Sequence, residues 1–220
     1  IRRGDLAPTA LIMIQRTSKA RREVCVNATR LGGNIDGTNT AAVSATVGTL
    51  MEQVWKTSGF LQKRLPGFEK ATFAGLAPRV GVRETRRIMG DYILTKEAVV
   101  SGRKFPDSAI AKGAQHVDIH QSGTTQIRIP IANGGSYDIP FGCLLPRGLK
   151  NVMVAGRCLS ATREGMGTAR TMGPCMAMGE AAGTAAAMCA DRGHGEVREL
   201  SVGDLQNQLK KNGAVIDGVY

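Results

Sequence analysis

The sequence is poor in several features that define particular protein classes. Aromatic residues make up 4% of its 220 residues, tryptophan occurs once and histidine three times. The five cysteines are scattered and form no C-x-x-C pair, which argues against a zinc or redox dithiol motif. This odd, unpaired set indicates a reducing compartment, so we expect a cytoplasmic protein.

Long apolar runs are missing as well. The most apolar stretch, residues 172–190, is rich in alanine and glycine and contains Glu180, so it is too weakly hydrophobic for a membrane span. With 42% hydrophobic and 21% charged residues, the composition is typical of a globular chain. The sequence therefore predicts no membrane partner.

Positive charge is present in excess, with 29 Lys and Arg against 18 Asp and Glu and a formal net charge of +11. Such an excess suits an anionic cofactor, an acidic substrate or nucleic acid. A nucleic-acid groove would need aromatic residues among the basic ones, and near the arginine-rich run Tyr92 stands alone. We therefore expect a small-molecule substrate and no nucleic acid.

The amino-terminal half contains both strand and helix signals. Apolar runs at residues 10–14 and 24–28 flank a polar turn at 16–22, which predicts a hairpin. A helix is predicted between capping residues at 36–40 and the stop at 66–67, and its apolar stripe should pack on a sheet. The stripe consists of Val43, Val47, Leu50, Val54, Leu61 and Leu65.

Further along, residues 78–83 predict a short strand, and Thr95 is expected to cap a short helix that ends near Gly102. Short strands at 117–120, 127–131 and 137–140 predict a mixed or antiparallel sheet.

The pattern then changes. Residues 152–155 are continuously apolar, as in a parallel strand covered on both faces. A glycine-rich loop and the long helix of small residues at 172–190 follow, and Ser201 begins a capped tail helix over 201–209. The sequence therefore predicts an α/β fold.

The loop after residue 155 is the strongest candidate for a binding site. Its glycines let backbone N–H groups approach a ligand, and a helix that begins beyond the carboxyl end of a parallel strand can bind a phosphate or the carbonyl of a flavin ring. A tightly packed helix without any ligand is the alternative. The nearest run to a dinucleotide fingerprint, residues 165–170, has Arg170 where a third small residue is needed.

A second candidate is the alternating run that places His116, Asp118 and His120 on one strand face. Asp118 could orient His120 as a general base, because a carboxylate partner fixes the imidazole tautomer. The same three side chains could bind iron or zinc, or simply meet solvent as a polar strand face.

A third candidate is the group Arg79, Arg83, Arg86 and Arg87. Arginine side chains suit two-pronged recognition of a carboxylate or phosphate. An ion-paired surface without specific function is the alternative.

Several runs together resemble the carboxyl-terminal part of bacterial FAD-dependent oxidoreductases related to the glutathione-reductase and succinate-dehydrogenase flavoproteins. The resemblance extends from Val24 to Ile216 in the family's order. The runs that carry it are residues 26–30, 66–69, 81–87 with 90–92, 118–120, 139–140 with 144–146, 154–157 through 179–186, and 200–202 to 213–214.

The resemblance implies a two-lobed flavoenzyme that uses FAD and moves a hydride between an organic substrate and the flavin. The forked donors of Arg83, Arg86 and Arg163 suit an anionic substrate. Residues 1–143 would form the mixed-sheet substrate lobe, 144–193 the closing strand, loop and helix of the Rossmann-like FAD lobe, and 194–220 a tail helix. Catalytic positions would be His120, Asp118, Arg86 and Arg163. Cofactor-binding positions would be Gly156, Arg157, Gly167, Thr168, Arg170, Thr171 and Met172.

The sequence departs from the family pattern because the amino-terminal unit with G-x-G-x-x-G is missing and because Arg163 stands where we expect the family's histidine. We therefore expect a fragment, a cleaved product or a subunit of a split enzyme. It should associate tightly with the segment or subunit that carries the missing unit, and form an oligomer. The alternatives are a non-catalytic binding subunit of the same fold and a metal-dependent oxygenase that uses His116, Asp118 and His120.

Overall fold

The computed structural model describes residues 6, 12–32, 35–120, 126–191 and 196–218. It combines helices and strands, as predicted for an α/β fold. Contacts between residues divide the chain into two units. The first unit comprises residues 1–82 and 120–126, and the second comprises 83–119 and 127–220. The predicted boundary at residue 143 does not coincide with this division.

The first unit begins with the predicted hairpin. Strand β1 (Met13–Ser18) pairs antiparallel with β2 (Glu23–Asn27), and the turn between them is shorter than predicted. Two helices follow, α1 (Thr40–Ala45), which is capped by the Asn39 side chain, and α2 (Val47–Arg64).

The face that α2 buries differs from the predicted stripe. Gln53, Thr57 and Leu61 are buried, four residues apart, whereas Val47 is exposed. Leu61 is thus the one member of the predicted stripe that is fully buried. The apolar spacing identified the helix correctly, but two polar residues occupy its buried side.

The predicted strand at residues 78–83 is absent, because these residues are irregular in the structure. The second unit then begins with α3 (Lys96–Val100), which Thr95 caps as predicted by accepting a hydrogen bond from Ala98 N. The strands are β3 (Ala109–Gly113), β4 (Val117–His120), β5 (Gln126–Ile129) and β6 (Tyr137–Pro140). Both β4 and β5 continue for one residue, His120 and Gln126, into the first unit.

The strands form two-stranded sheets, in which β3 pairs antiparallel with β6, and β4 pairs with β5. The remaining helices are α4 (Arg163–Ala169), α5 (Met172–Asp191) and α6 (Val202–Lys211). Short 3-10 turns lie at Ala132–Gly134, Phe141–Cys143 and Val197–Glu199. The helix α4 forms within the segment predicted to be a glycine-rich loop.

The predicted buried strand at residues 152–155 is wrong for this structure. These residues form no strand, and Val152 is 41% exposed. Val154 N donates to Leu144 O at 2.9 Å, but no ladder develops on either side. A parallel strand needs neighbours on both edges to satisfy its backbone, and the described part of the chain supplies none here.

The main hydrophobic core lies in the second unit. It is built from β3, β6, α5 and α6, with Tyr137, Ile139, Leu144, Met178 and Leu205 among its fully buried members. The helix α6 is capped by Ser201 and followed by Gly213 at φ +93°, as the sequence predicts. None of the described helices is long and apolar enough to cross a bilayer.

Candidate functional site

His120 lies at the end of β4 within a group of three side chains of the first unit. Nη1 of Arg30 contacts Nδ1 of its ring. The amide nitrogen of Gln126, at the start of β5, lies 3.4 Å from Nε2. Both nitrogens of the imidazole therefore have partners in the protein.

Arg30 is held by its backbone as well as by its side chain. It lies three residues after β2, and its N–H donates to Oε1 of Gln53 at 2.9 Å. Gln53 is buried in α2. Gln53, a polar residue on the buried face of α2, thus holds the segment after β2 from which Arg30 contacts His120.

Neither Arg30 nor Gln126 was predicted as a site residue. Arg30 contacts a residue 90 positions away, so no local pattern links the two. The available signal was that Arg30 ends the run 26–30, one of the runs that carry the family resemblance.

Asp118 and Arg170 meet in the second unit. Nη2 of Arg170, directly after α4, donates to the backbone carbonyl of Asp118 at 3.1 Å. The pKa of Arg170 is lowered, first by burial and then by the positive charges of Arg83 and Arg157, while Asp118 and Glu84 act in the opposite direction. Arg170 is therefore within electrostatic range of two further guanidinium groups and two carboxylates, a set with a positive excess that an anion would balance.

Arg86 and Arg163 take no part in a described network. Both are exposed, and Arg163 is the first residue of α4. Glu84 pairs instead with Arg87, at 3.8 Å. Within the described ranges, neither Arg86 nor Arg163 has an ion-pair partner.

Two of the predicted cofactor-binding residues have a packing role in the structure. A Cβ at Gly167 would lie 3.2 Å from side-chain carbons of Val117 and Ile119, so glycine lets α4 approach β4 closely. Thr168 is fully buried; its hydroxyl donates to Gln115 O at 2.7 Å and lies 3.0 Å from the hydroxyl of Tyr137. Both residues thus contact other parts of the second unit, whatever further role they have toward a cofactor.

The remaining predicted cofactor residues lie near the start of α5. Gly156 turns the chain with φ +80°, and a Cβ placed there would lie 3.9 Å from Sγ of Cys175, in the first helical turns. Met172, the first residue of the helix, is 83% exposed, and no atom lies within 4 Å of a Cβ built at Gly173. The turn and the helix start thus form one open surface of the second unit.

Backbone donors are available on this surface. The hydroxyl of Thr171 donates to Thr168 O at 2.9 Å, and Pro174 has no N–H. The N–H groups of Met172 and Gly173 have no acceptor among the residues that the structure describes. Free N–H groups at a helix start suit a phosphate or a polarised carbonyl oxygen.

His116, Asp118 and His120 do not form a metal site in the described structure. In the described ranges, no three His, Cys, Asp or Glu side chains are grouped as a metal ion would require. His116 lies just before β4 and is half-buried, and His194 falls outside the described residues.

Comparison with known proteins identifies one family. A family model described as FAD dependent oxidoreductase matches residues 3–209. No curated protein and no solved structure gives a significant match.

Proposed function

Because the chain belongs to the family of FAD-dependent oxidoreductases, we propose that it transfers a hydride between an organic, anionic substrate and FAD. FAD is the cofactor of this family. The observation that carries the proposal is the family match over residues 3–209. When bound, the flavin supplies the hydride-accepting ring, while the protein positions the substrate and handles its proton.

In this proposal, the surface formed by the Gly156 turn and the start of α5 holds the flavin. Gly156 permits the close turn, and the backbone of Met172 and Gly173 offers N–H donors. Arg157 and Arg170 add positive charge, which suits an anionic cofactor. Thr171 stabilises the helix start by donating to Thr168 O.

The substrate is proposed to be an anion. Arg83 belongs to the positive cluster around Arg170, and the exposed Arg86 and Arg163 add two further forked donors for a carboxylate. His120, with Asp118 on the same face of β4, is proposed separately to take part in the reaction.

We further propose that an amino-terminal FAD-binding segment or subunit packs on α5 and completes the flavin-binding site. Met172, Met176, Gly179, Gly183 and Ala186 are all exposed on one side of this helix. Apart from Glu180 and the terminal Asp191, the exposed residues of this helix are apolar or small. A helix that is apolar on nearly all sides is normally covered by other protein. The complete enzyme is proposed to be cytoplasmic and oligomeric.

A charge placed at the helix start tests the cofactor site. In the chain joined to the upstream FAD-binding segment, Gly173→Glu should reduce FAD affinity about tenfold or more, because a carboxylate would stand where an anionic group is proposed to bind. Folding should be retained, since the site has open space and acidic residues suit a helix start. FAD binding is measured by fluorescence titration.

Gly203→Glu is the matched control, because it introduces the same charge in the first turn of α6. It should leave FAD affinity unchanged. Equal affinity in both variants would remove the flavin from the start of α5. A colourless complete complex that takes up no FAD would instead favour the alternative of a non-catalytic subunit.

A further inference from the structure

The contact with Arg30 determines which nitrogen of the His120 ring carries the proton. Arg30 contacts Nδ1 through a guanidinium nitrogen. A guanidinium has five N–H donors and no acceptor, and it stays protonated. Nδ1 therefore accepts this hydrogen bond, and in the neutral ring the single proton lies on Nε2.

The Gln126 side chain is compatible with this assignment. Its amide lies 3.4 Å from Nε2, and an amide can turn its oxygen toward an N–H donor. The contact between Nε2 and the Gln126 amide is long at 3.4 Å, so an oxygen acceptor from another molecule could replace Gln126 there.

This arrangement is the opposite of the one that a base at Nε2 requires. A carboxylate at Nδ1, the role predicted for Asp118, would hold a proton on Nδ1 and leave the Nε2 lone pair free to take one. The guanidinium of Arg30 would then face the N–H group at Nδ1. This contact would be unfavourable, because both groups are hydrogen-bond donors and neither can accept. His120 with Arg30 at Nδ1 can donate from Nε2 but cannot accept there.

We propose that Arg30 is a positioning residue that holds His120 as the neutral Nε2–H tautomer and thereby makes it a hydrogen-bond donor rather than a general base. Within the proposed oxidoreductase function, on which this role rests, such a donor would stabilise negative charge on an oxygen atom of the substrate. The tautomer itself is independent of flavin binding and can be tested without it.

Nitrogen NMR of the 220-residue chain tests the proposal. With His116 and His194 replaced by Gln, His120 is the sole histidine, and its two ring nitrogens can be assigned at about pH 9, where an ordinary imidazole is neutral. The wild-type residue and Arg30→Lys, which keeps a donor, should both show the proton on Nε2. Arg30→Glu places an acceptor beside Nδ1 and should move the proton there.

Arg30→Glu should change the ratio of the Nε2–H to the Nδ1–H tautomer by about tenfold or more. Hydrogen bonds to charged groups are stronger than those between neutral groups. Arg128→Glu, an exposed position on β5, makes the same change of charge and should leave the proton on Nε2. If Arg30→Glu does not fold, Arg30→Met replaces it, and loss of the donor should lower the ratio of Nε2–H to Nδ1–H.

A proton on Nδ1 in the wild-type residue, or an unchanged ratio in Arg30→Glu or Arg30→Met, would overturn the proposal. The outcome is separable from that of the proposed function. A chain that binds no FAD but shows the Arg30-dependent tautomer would refute the flavin proposal and leave this one standing.

Discussion

Glycine positions in the second unit show how single atoms limit its packing. A Cβ at Gly165, in α4, would lie 2.3 Å from the carbonyl oxygen of Leu94. That oxygen already accepts a hydrogen bond from Thr162 N at 2.9 Å. The clash is therefore with backbone that is held in place.

We expect Gly165→Ala to lower the free energy of unfolding by about 1–3 kcal/mol, the usual range for overpacking a core. Gly179→Ala is the control, because a Cβ there meets nothing within 4 Å in the interior of α5. It should raise the free energy of unfolding by about 0.5–1 kcal/mol through helix propensity. Denaturant unfolding measures both, and equal effects would contradict the packing of α4 on Leu94.

Burial of the single residue Cys143 should make the stability of the fold depend on pH. It is completely buried, and desolvation raises the pKa of its thiol to about 12, from an ordinary value of 9.0. The folded state thus keeps the thiol neutral after the unfolded chain has begun to ionise. Its contribution to stability is complete below about pH 9 and is lost as the pH rises from there through 12.

Cys143→Ala should therefore remove part of the loss of stability above pH 9, up to about 1.4 kcal/mol per pH unit. The test is the free energy of unfolding between about pH 8 and 10.5 under reducing conditions. Cys25→Ala, at an exposed site in β2, should retain the wild-type slope. If Cys143→Ala also retains it, the thiol does not titrate as its burial requires.

Among the elements, α5 has two sides with different roles. Pro174, Met178, Ala181, Ala185 and Cys189 are buried in the core of the second unit. The opposite side exposes Gly179 and Gly183, where an added Cβ meets nothing within 4 Å. Small residues on a helix surface allow another backbone to approach closely.

Gly183→Leu should leave the stability of this chain unchanged or slightly increased, because the site is open and leucine favours helix. It should nevertheless abolish association with the FAD-binding segment proposed to cover this side. Analytical ultracentrifugation of the two polypeptides measures the association. Ala181→Leu, on the buried side, should instead destabilise the chain itself. Normal association of Gly183→Leu would place the partner elsewhere.

The elements also show which parts of the fold local sequence can predict. The caps at Thr95 and Ser201 and the length of α5 were predicted well, because caps and helical composition act over a few residues. The predictions of strands at 78–83 and 152–155 were wrong, because a strand forms only where a neighbouring strand completes its hydrogen bonds. An apolar run cannot show whether that neighbour is present.

The candidate site was less predictable than the fold for a similar reason. His120 was identified from its own strand, but the group on its Nδ1 comes from Arg30, 90 residues earlier. The family resemblance places Gly167 and Thr168 among the cofactor-binding positions, and the structure adds that they contact side chains of β4 and β6. Contacts between distant segments decide such roles, and sequence spacing does not record them.

At the scale of the whole molecule, the two units differ in how much they bury. The second unit contains the continuous core. In the described part of the first unit, Ala28 and Leu61 are the buried apolar residues, while Trp55, Phe73 and Leu76 remain exposed. Trp55 and Phe73 contact each other with ring centroids 5.2 Å apart. The first unit therefore has little core of its own to stabilise it.

The division of the chain into two units limits how recombination can exchange parts of its gene. Residues 120–126 belong to the first unit although the segments on either side belong to the second, so the polypeptide crosses between the units three times. A gene segment ending at residue 82 would encode Arg30 without the histidine that it contacts. Recombination at a single junction therefore cannot exchange either unit intact.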